Sequence, residues 1–88
     1  MAAGFNKKED TMLDRIRKIV NESSFLQAGT TVADGDDLYA AGLTSHASVE
    51  LMLQLEDEFD IEFPERLLKR STFESVSSLN DALAGLTA

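Results

Sequence analysis

The chain has 88 residues, no cysteine and one histidine, and its 16 acidic residues against 8 basic ones give a formal net charge of −8. A chain of this length forms one domain that hides only about 60 to 65% of its unfolded surface, so its core is small, and no disulfide or thiolate metal site can supplement it. The excess of acid makes nucleic acid and membrane surfaces poor partners. It leaves two interpretations open, docking onto a basic protein or solubility alone.

The sequence predicts neither a secretory signal in its first 20 residues nor a membrane-spanning segment. Charged residues interrupt the first 20 positions, which leaves no room for the apolar stretch of a secretory signal. The longest run of large apolar residues, "LML" at 51–53, is far shorter than the roughly 20 residues that cross a bilayer. We therefore predict no membrane insertion. We also predict a cytoplasmic monomer, with a frayed segment 1–6, a single domain over 7–85 and a C-terminal tail 86–88.

A first helix is predicted over residues 7–25, because apolar residues recur there at spacings of three and four and Gly29 follows as a helix breaker. No period holds over residues 26–44, which indicates a long loop with a short helical turn at 36–40. The residues expected to anchor this loop on the core are Val32, Leu38, Tyr39 and Leu43.

A second helix is predicted over residues 45–59, where the apolar side chains spread over an arc of roughly 200°. So wide an arc predicts a mostly buried helix that leaves an acidic strip in solvent. Pro64 suits a first helical position, so "PERLLKR" at 64–70 indicates a short third helix with Leu67 and Leu68 pointing inward.

A last helix is predicted over residues 75–84, capped by Ser75 and ended by Gly85. No strand-like alternation occurs, so the predicted fold is all-α, with three main helices, one short helix and a long loop between helices 1 and 2. The predicted core is Val49, Met52, Leu53, Leu55, Phe59, Ile61, Phe63, Leu68, Val76, Leu79 and Leu83.

The chain offers little for catalysis or metal binding. His46 follows Ser45 directly, and neighbouring helical residues point about 100° apart, so a nucleophile–base pair is not expected and we predict no enzyme and no catalytic residue. Asp34 and Asp36 alternate like the first ligands of a calcium loop. The sixth and twelfth positions of that loop, which need glycine and glutamate, hold Tyr39 and Ser45, so no metal site is predicted.

Ser45 is the residue best placed for chemistry. The first amides of a helix lack internal partners and concentrate partial positive charge, which suits an anionic phosphate. A serine there, after the flexible "AAGLT", is well placed to carry a phosphodiester. The local pattern leaves an alternative open, in which Thr44 or Ser45 is simply the helix N-cap.

The segment "DLYAAGLTSHASVELMLQLEDEFDIEFP", residues 37–64, resembles the central segment of acyl carrier proteins and peptidyl carrier proteins. In those families a G-L-D-S-L type sequence precedes V-E-L, an acidic amphipathic helix and an E-F-x-I/T-x-I/F-P stretch. The matching positions here are Gly42, Leu43, Ser45, Val49, Glu50, Leu51, Leu55, Glu56, Phe59, Ile61 and Pro64. The flanking helices match in length and order, so the resemblance implies an acyl-carrier-protein-like bundle.

The resemblance implies that Ser45 receives 4'-phosphopantetheine from coenzyme A through a phosphopantetheinyl transferase. The arm ends in a thiol that holds an acyl or aminoacyl group as a thioester, which accounts for a carrier without cysteine. A ligase would load the cargo and a downstream transferase would remove it. Partner recognition is expected at Thr44, His46, Glu50, Asp57 and Glu58, with Glu56 and Asp60 as weaker candidates.

Two positions depart from the family pattern. Thr44 stands where the family has aspartate, and His46 stands where it has leucine. Taken with "DLYAAGL" and "DIEFPERLLKRSTFESV", these departures make the chain similar to a bacterial group of stand-alone carriers that receive an amino acid, often glycine, from ligases resembling truncated class II aminoacyl-tRNA synthetases. Two alternatives stay open: a carrier for a fatty or other acyl group in a specialised lipid or polyketide pathway, and an unmodified acidic helical protein-interaction module.

Overall fold

The computed structural model describes residues 11–27 and 29–87. Within these residues there are three α-helices and two short 3₁₀ turns. These elements are α1 (Met12–Asn21), α2 (Ser45–Phe59), the turns Glu65–Leu67 and Arg70–Phe73, and α3 (Val76–Thr87). Within these ranges there is no strand, and the prediction of an all-α fold with three main helices is confirmed.

Helix α1 starts in a capping box and ends earlier than predicted. The Thr11 hydroxyl accepts from the Asp14 amide at 3.0 Å, and the Asp14 carboxylate accepts from the Thr11 amide at 3.3 Å. At the other end, the side chain of Asn21 accepts from the Val32 amide at 2.7 Å. This bond ties the helix end to the loop. Because α1 ends at Asn21, the predicted end at residue 25 is wrong. Residues 7–10 and the predicted frayed segment 1–6 lie outside the described residues.

Helix α2 has the predicted bounds but a narrower buried face. Leu51 and Leu55 are buried, whereas Val49 is 50% exposed and Leu53 is 54% exposed. The prediction of a mostly buried helix, with Val49 and Leu53 in the core, is therefore wrong. The physical reason is that α2 packs mainly on α1, which covers one stripe of the helix rather than the whole apolar arc.

The predicted third helix is replaced by the two 3₁₀ turns. Leu67 packs against the core as predicted, but Leu68 is 49% exposed, so its assignment to the core is wrong. Leu68 has φ −86° and ψ 71°, which is outside the helical region and breaks the run between the two turns. An interrupted backbone no longer holds Leu67 and Leu68 on one helical face.

Helix α3 is capped by Ser75 as predicted, since its hydroxyl accepts from the Ser78 amide at 3.0 Å. The helix runs through Gly85 to Thr87, so the predicted end at Gly85 is wrong and residues 86 and 87 are helical rather than a tail. Leu86 continues the apolar face of the helix and packs against the core, which offsets the weak helix propensity of glycine.

The core joins the inner faces of α1 and α3 to the long loop. The fully buried large side chains are Ile16, Val20, Leu38, Leu51, Leu55, Val76, Leu79 and Leu83. The predicted core residues Met52, Phe59 and Ile61 are only partly buried against this cluster, and Phe63 is buried.

The long loop 26–44 is fixed to the rest of the fold. Val32, Leu38 and Leu43 are buried as predicted, and Tyr39 is partly buried. The Leu38 amide donates to the Glu74 carbonyl at 2.7 Å, immediately before α3. The predicted turn forms at 38–42 rather than 36–40. The loop thus delivers the chain to α2 from a firmly anchored position.

Ion pairs on the surface add to this anchoring. The Arg17 guanidinium donates to both carboxylate oxygens of Asp34, at 2.8 and 2.9 Å, and so links α1 to the loop. These hydrogen bonds lower the pKa of Asp34 below its ordinary value. In α2, Glu58 accepts from the Nε of Arg15 at 2.8 Å, which joins the ends of α1 and α2.

Candidate functional site

The sharp turn before α2 places Ser45 at the surface. Gly42 has φ +122°, and a Cβ added there would lie 3.1 Å from the Phe25 carbonyl oxygen. Leu43 is buried, and its amide donates to the Leu38 carbonyl at 2.9 Å. The chain therefore passes within two residues from a buried anchor to an exposed serine, and only a glycine suits the turn without strain.

The helix cap is Thr44, one of the two residues that the sequence offers for this role. The Thr44 hydroxyl accepts from the Ala47 amide at 3.0 Å, and its backbone carbonyl accepts from the Ser48 amide at 2.8 Å. Ser45 is the first residue of α2 and is exposed. Its hydroxyl forms no hydrogen bond with another described residue, so the helix does not need it.

The helix terminus provides a favourable setting for an anion at Ser45. The amides of Ser45 and His46 precede the first hydrogen bond of the helix, so they have no partner within α2. Their partial positive charge favours a phosphate group attached nearby.

The predicted recognition residues do not form one cluster. His46 and Glu50 lie together and exposed, with 3.4 Å between the His46 Nε2 and the Glu50 Oε2. Asp57 is also exposed, but it lies 12 residues along α2 from Ser45, or about 18 Å. Glu58 is held by Arg15 and joins two helices instead of projecting freely. Their roles in recognition stay predictions.

A groove of about 390 Å³ opens beside Ser45, and we call it the Ser45 groove. Its apolar wall consists of Val49, Met52, Leu68 and Phe73. Its polar edge consists of Tyr39, Ser45, Ser48, Lys69 and Arg70. No carboxylate among the described residues lines it, although the chain has twice as many acidic as basic residues.

The sequence did not predict this groove. Hydrophobic periodicity assigned Val49 and Leu68 to the core, and nothing in the pattern indicated that both would be left exposed. The adjacent basic pair Lys69 and Arg70, in a strongly acidic chain, is the sequence feature that indicates a different surface there.

Arg70 is held in place by stacking. Its guanidinium carbon lies 3.8 Å from the centre of the Tyr39 ring, which is a cation–π contact. Burial raises the pKa of the Tyr39 hydroxyl, which stays neutral at physiological pH. Both residues of this contact line the Ser45 groove.

These features fit a group attached through a phosphodiester. The Ser45 hydroxyl is exposed and unbonded, the adjacent helix terminus favours negative charge, and the groove beside it carries only cationic charge. Among the described residues, no group of His, Asp or Glu side chains could hold a metal ion. No helix in the same ranges has the length and apolar character needed to cross a membrane.

Comparison with solved structures gives the same fold. The chain is similar to the Agrobacterium tumefaciens carrier protein in a crystal structure with an engineered Bradyrhizobium japonicum glycine:[carrier protein] ligase and ATP. The TM-score is 0.75 and the identity 45%, over 84% of this chain and 97% of that one. The glycylated carrier protein bound to the Bradyrhizobium japonicum ligase has a TM-score of 0.66 and 32% identity, over 82% of this chain and 99% of that one. The predicted carrier-protein bundle is thereby confirmed.

Comparison of sequences gives the family. The chain is 57% identical over 53 residues to an aminoacyl carrier protein from Agrobacterium fabrum, a match that covers 60% of this chain and 64% of that protein. The chain thus spans less than two thirds of the length of that relative. Residues 14–83 match the family described as "Phosphopantetheine attachment site". The predicted cofactor, covalently attached 4'-phosphopantetheine, is confirmed by this match, and the chain belongs to the phosphopantetheine attachment site family of carrier proteins.

Proposed function

We propose that this chain is an aminoacyl carrier protein that holds an amino acid, glycine or one of similar size, on a phosphopantetheine arm attached to Ser45. A phosphopantetheinyl transferase installs the arm, an amino acid:carrier protein ligase loads it, and a downstream transferase takes the cargo. The carrier itself supplies no catalytic group, and it works in the cytoplasm as a monomer.

The observation that carries the proposal is that the Thr44 hydroxyl caps α2, whereas the neighbouring Ser45 hydroxyl makes no hydrogen bond with another described residue. Thr44 already caps α2, so the hydroxyl of Ser45 is not needed for the fold. Ser45 is nevertheless held at a fixed position by the buried anchor Leu43 and the first turn of the helix. A rigidly placed, exposed and unbonded hydroxyl is what a modifying enzyme requires of its acceptor.

The choice of cargo is supported by the relatives. One is an aminoacyl carrier protein, and two others are carrier proteins in complexes with a glycine:[carrier protein] ligase, one of them glycylated. Identities of 32 to 57% to these proteins favour the same class of cargo over a fatty acyl group.

Each part of the site has a defined task under this proposal. The arm supplies the thiol that holds the cargo, since the chain has no cysteine of its own. The helix terminus stabilises the negative charge of the phosphodiester. His46 and Glu50, exposed within the first two turns of α2, are available to enzymes that approach Ser45. Thr44 contributes as the cap that holds this end of the helix.

The first test is intact mass after incubation with coenzyme A, magnesium and a broad-specificity phosphopantetheinyl transferase. We expect one phosphopantetheine adduct on the wild type and none on Ser45→Ala. Ser48→Ala is the matched control, because Ser48 also lines the groove in the first turn of α2, and it should accept the adduct. An adduct on Ser45→Ala would refute the assignment of the attachment site.

The second test identifies the cargo. The modified protein is incubated with ATP and a glycine:[carrier protein] ligase, and its mass is compared before and after hydroxylamine, which cleaves thioesters. We expect a glycyl adduct that hydroxylamine removes. Loading by a fatty acyl ligase, with no loading by any amino acid ligase, would instead support an acyl carrier of another pathway.

A further inference from the structure

The charge of the Ser45 groove is opposite to that of the rest of the protein. The chain has a formal net charge of −8, yet the charged side chains that line the groove are Lys69 and Arg70. A positively charged patch on a negatively charged protein is suited to bind an anion. The proposed function places one covalently beside it, the phosphodiester on Ser45.

The two cations are available for such a contact. Arg15 and Arg17 are engaged by carboxylates of α1, α2 and the loop, whereas Lys69 and Arg70 form no ion pair with any described carboxylate. Arg70 instead stacks on Tyr39, with 3.8 Å between its guanidinium carbon and the ring centre. Stacking leaves the guanidinium N–H groups free at the edge of the plane, where they can donate to phosphate oxygens.

The groove also has the shape to continue the contact along the arm. Besides its cationic edge, the groove has an apolar wall formed by Val49, Met52, Leu68 and Phe73, against which an arm attached at Ser45 can lie. Val49 and Leu68 are each about half exposed, so this wall is not covered by another part of the described chain. The volume of the Ser45 groove, about 390 Å³, is in the range of small-molecule sites.

We propose that Lys69 and Arg70 pair with the phosphodiester on Ser45 and so direct the phosphopantetheine arm along the Ser45 groove. They are positioning residues: they set where the arm rests between partner enzymes, and they take no part in bond making. The inference rests on the proposed attachment at Ser45. An arm held by two surface charges leaves readily, because such pairs are individually weak and screened by salt.

The arm itself provides the probe for a test. Because the chain has no cysteine, the thiol of the arm is the only thiol of the modified protein and takes a nitroxide spin label selectively. Paramagnetic broadening of backbone amide signals then reports where the arm lies. We expect strong broadening at Val49, Met52 and Phe73 in the wild type, and loss of most of it in the double variant Lys69→Gln/Arg70→Gln.

The matched control is Arg66→Gln. Arg66 is an exposed cation of the same segment, with no carboxylate partner among the described residues, but it does not line the groove. Arg70→Gln and Arg66→Gln therefore each remove one positive charge from the same segment, but only Arg70→Gln removes it from the groove. We expect broadening to fall in the first variant only, and to fall in the wild type when salt is raised.

A second measurement locates the phosphate contact. The side-chain Nε–Hε signal of Arg70 should shift when the apo protein is converted to the modified form, while that of Arg66 stays in place. Free coenzyme A and inorganic phosphate, added to the apo protein at equal concentration, should leave Arg70 unchanged. A shift with either free anion as large as that on modification would mean that the edge binds soluble phosphates, and would overturn the proposal.

The outcomes separate the inference from the function beneath it. A chain that accepts no adduct at Ser45 overturns both. A chain that accepts the adduct, but whose arm gives the same broadening in the wild type and the double variant, overturns only the role of Lys69 and Arg70. The amide spectrum of each apo variant checks that the fold is intact.

Discussion

Because Thr44 caps α2 and Ser45 does not, we expect Thr44→Ala to lower stability and Ser45→Ala to leave stability almost unchanged. In Thr44→Ala, the Ala47 amide loses the side-chain acceptor that now lies at 3.0 Å. Loss of an N-cap of this kind lowers the free energy of unfolding by about 1 kcal/mol, within a range of about 0.5 to 2. For a domain of this size, that corresponds to a fall in Tm of roughly 4 to 8 °C.

In Ser45→Ala, by contrast, the side chain that is removed is exposed and makes no hydrogen bond with another described residue. Alanine is also the better helix former. We expect the free energy of unfolding to change by less than about 0.5 kcal/mol. The same substitution should abolish attachment of phosphopantetheine completely. We thus expect stability to depend on Thr44 and modification on Ser45.

The assay is urea unfolding of the apo proteins, followed by far-UV circular dichroism, with the modification reaction run in parallel. Thr44→Ser is the control, because it keeps the capping hydroxyl and should unfold like the wild type. If Ser45→Ala lost about 1 kcal/mol while Thr44→Ala lost none, Ser45 would be the cap, and the central observation behind the proposed function would be refuted.

Three further predictions concern the fold. Leu51→Ala should lower the free energy of unfolding by about 2 to 5 kcal/mol, because Leu51 is fully buried. Leu53→Ala should lower it by less than about 1 kcal/mol, because Leu53 is half-exposed. Equal losses in urea titrations would contradict the narrow buried face of α2. Gly42→Ala should cost more than about 1 kcal/mol, because φ is +122° and the added Cβ lies 3.1 Å from a carbonyl oxygen; an unchanged urea midpoint would refute this. Hydrogen bonds from Arg17 lower the folded-state pKa of Asp34, so their stabilisation is present above the unfolded pKa of about 4 and is lost as pH falls through the folded value. The stability advantage of the wild type over Asp34→Asn should therefore shrink on acidification, and a constant difference would contradict the ion pair.

The bounds of α2 were predictable because both of its ends have chemical causes within the sequence. Thr44 supplies a cap at the start, and Asp60, with φ 54°, takes the left-handed conformation that ends many helices. The end of α1 is less readily predicted. Local bonds occur there, since the Ser23 hydroxyl donates to the Ile19 carbonyl at 2.8 Å, but Asn21 also accepts from the Val32 amide, and a contact across 11 residues leaves no trace in local periodicity.

The identity of the cap also lay beyond sequence analysis. Threonine and serine are both good N-cap residues, so "TSHA" fits a helix that begins at either one. Only the backbone decides, since Thr44 has the extended conformation of a cap, with φ −107° and ψ 171°. That difference of one residue separates a structural hydroxyl from a free one, and the proposed function depends on it.

The errors in the predicted core have a physical pattern of their own. Val49, Leu53 and Leu68 were assigned to the core because they are large, apolar and regularly spaced, and all three are about half exposed. Hydrophobic periodicity shows only which side chains are apolar and share a helix face. It does not distinguish a side chain that is buried in the core of the protein from one that is covered by a bound ligand or partner. Two of the three, Val49 and Leu68, line the groove beside Ser45. The exposed apolar side chains that fit the helical period therefore lie in the same groove as the free hydroxyl of Ser45. Apolar side chains that are covered by a ligand or partner only part of the time must stay at the surface, where they can be reached.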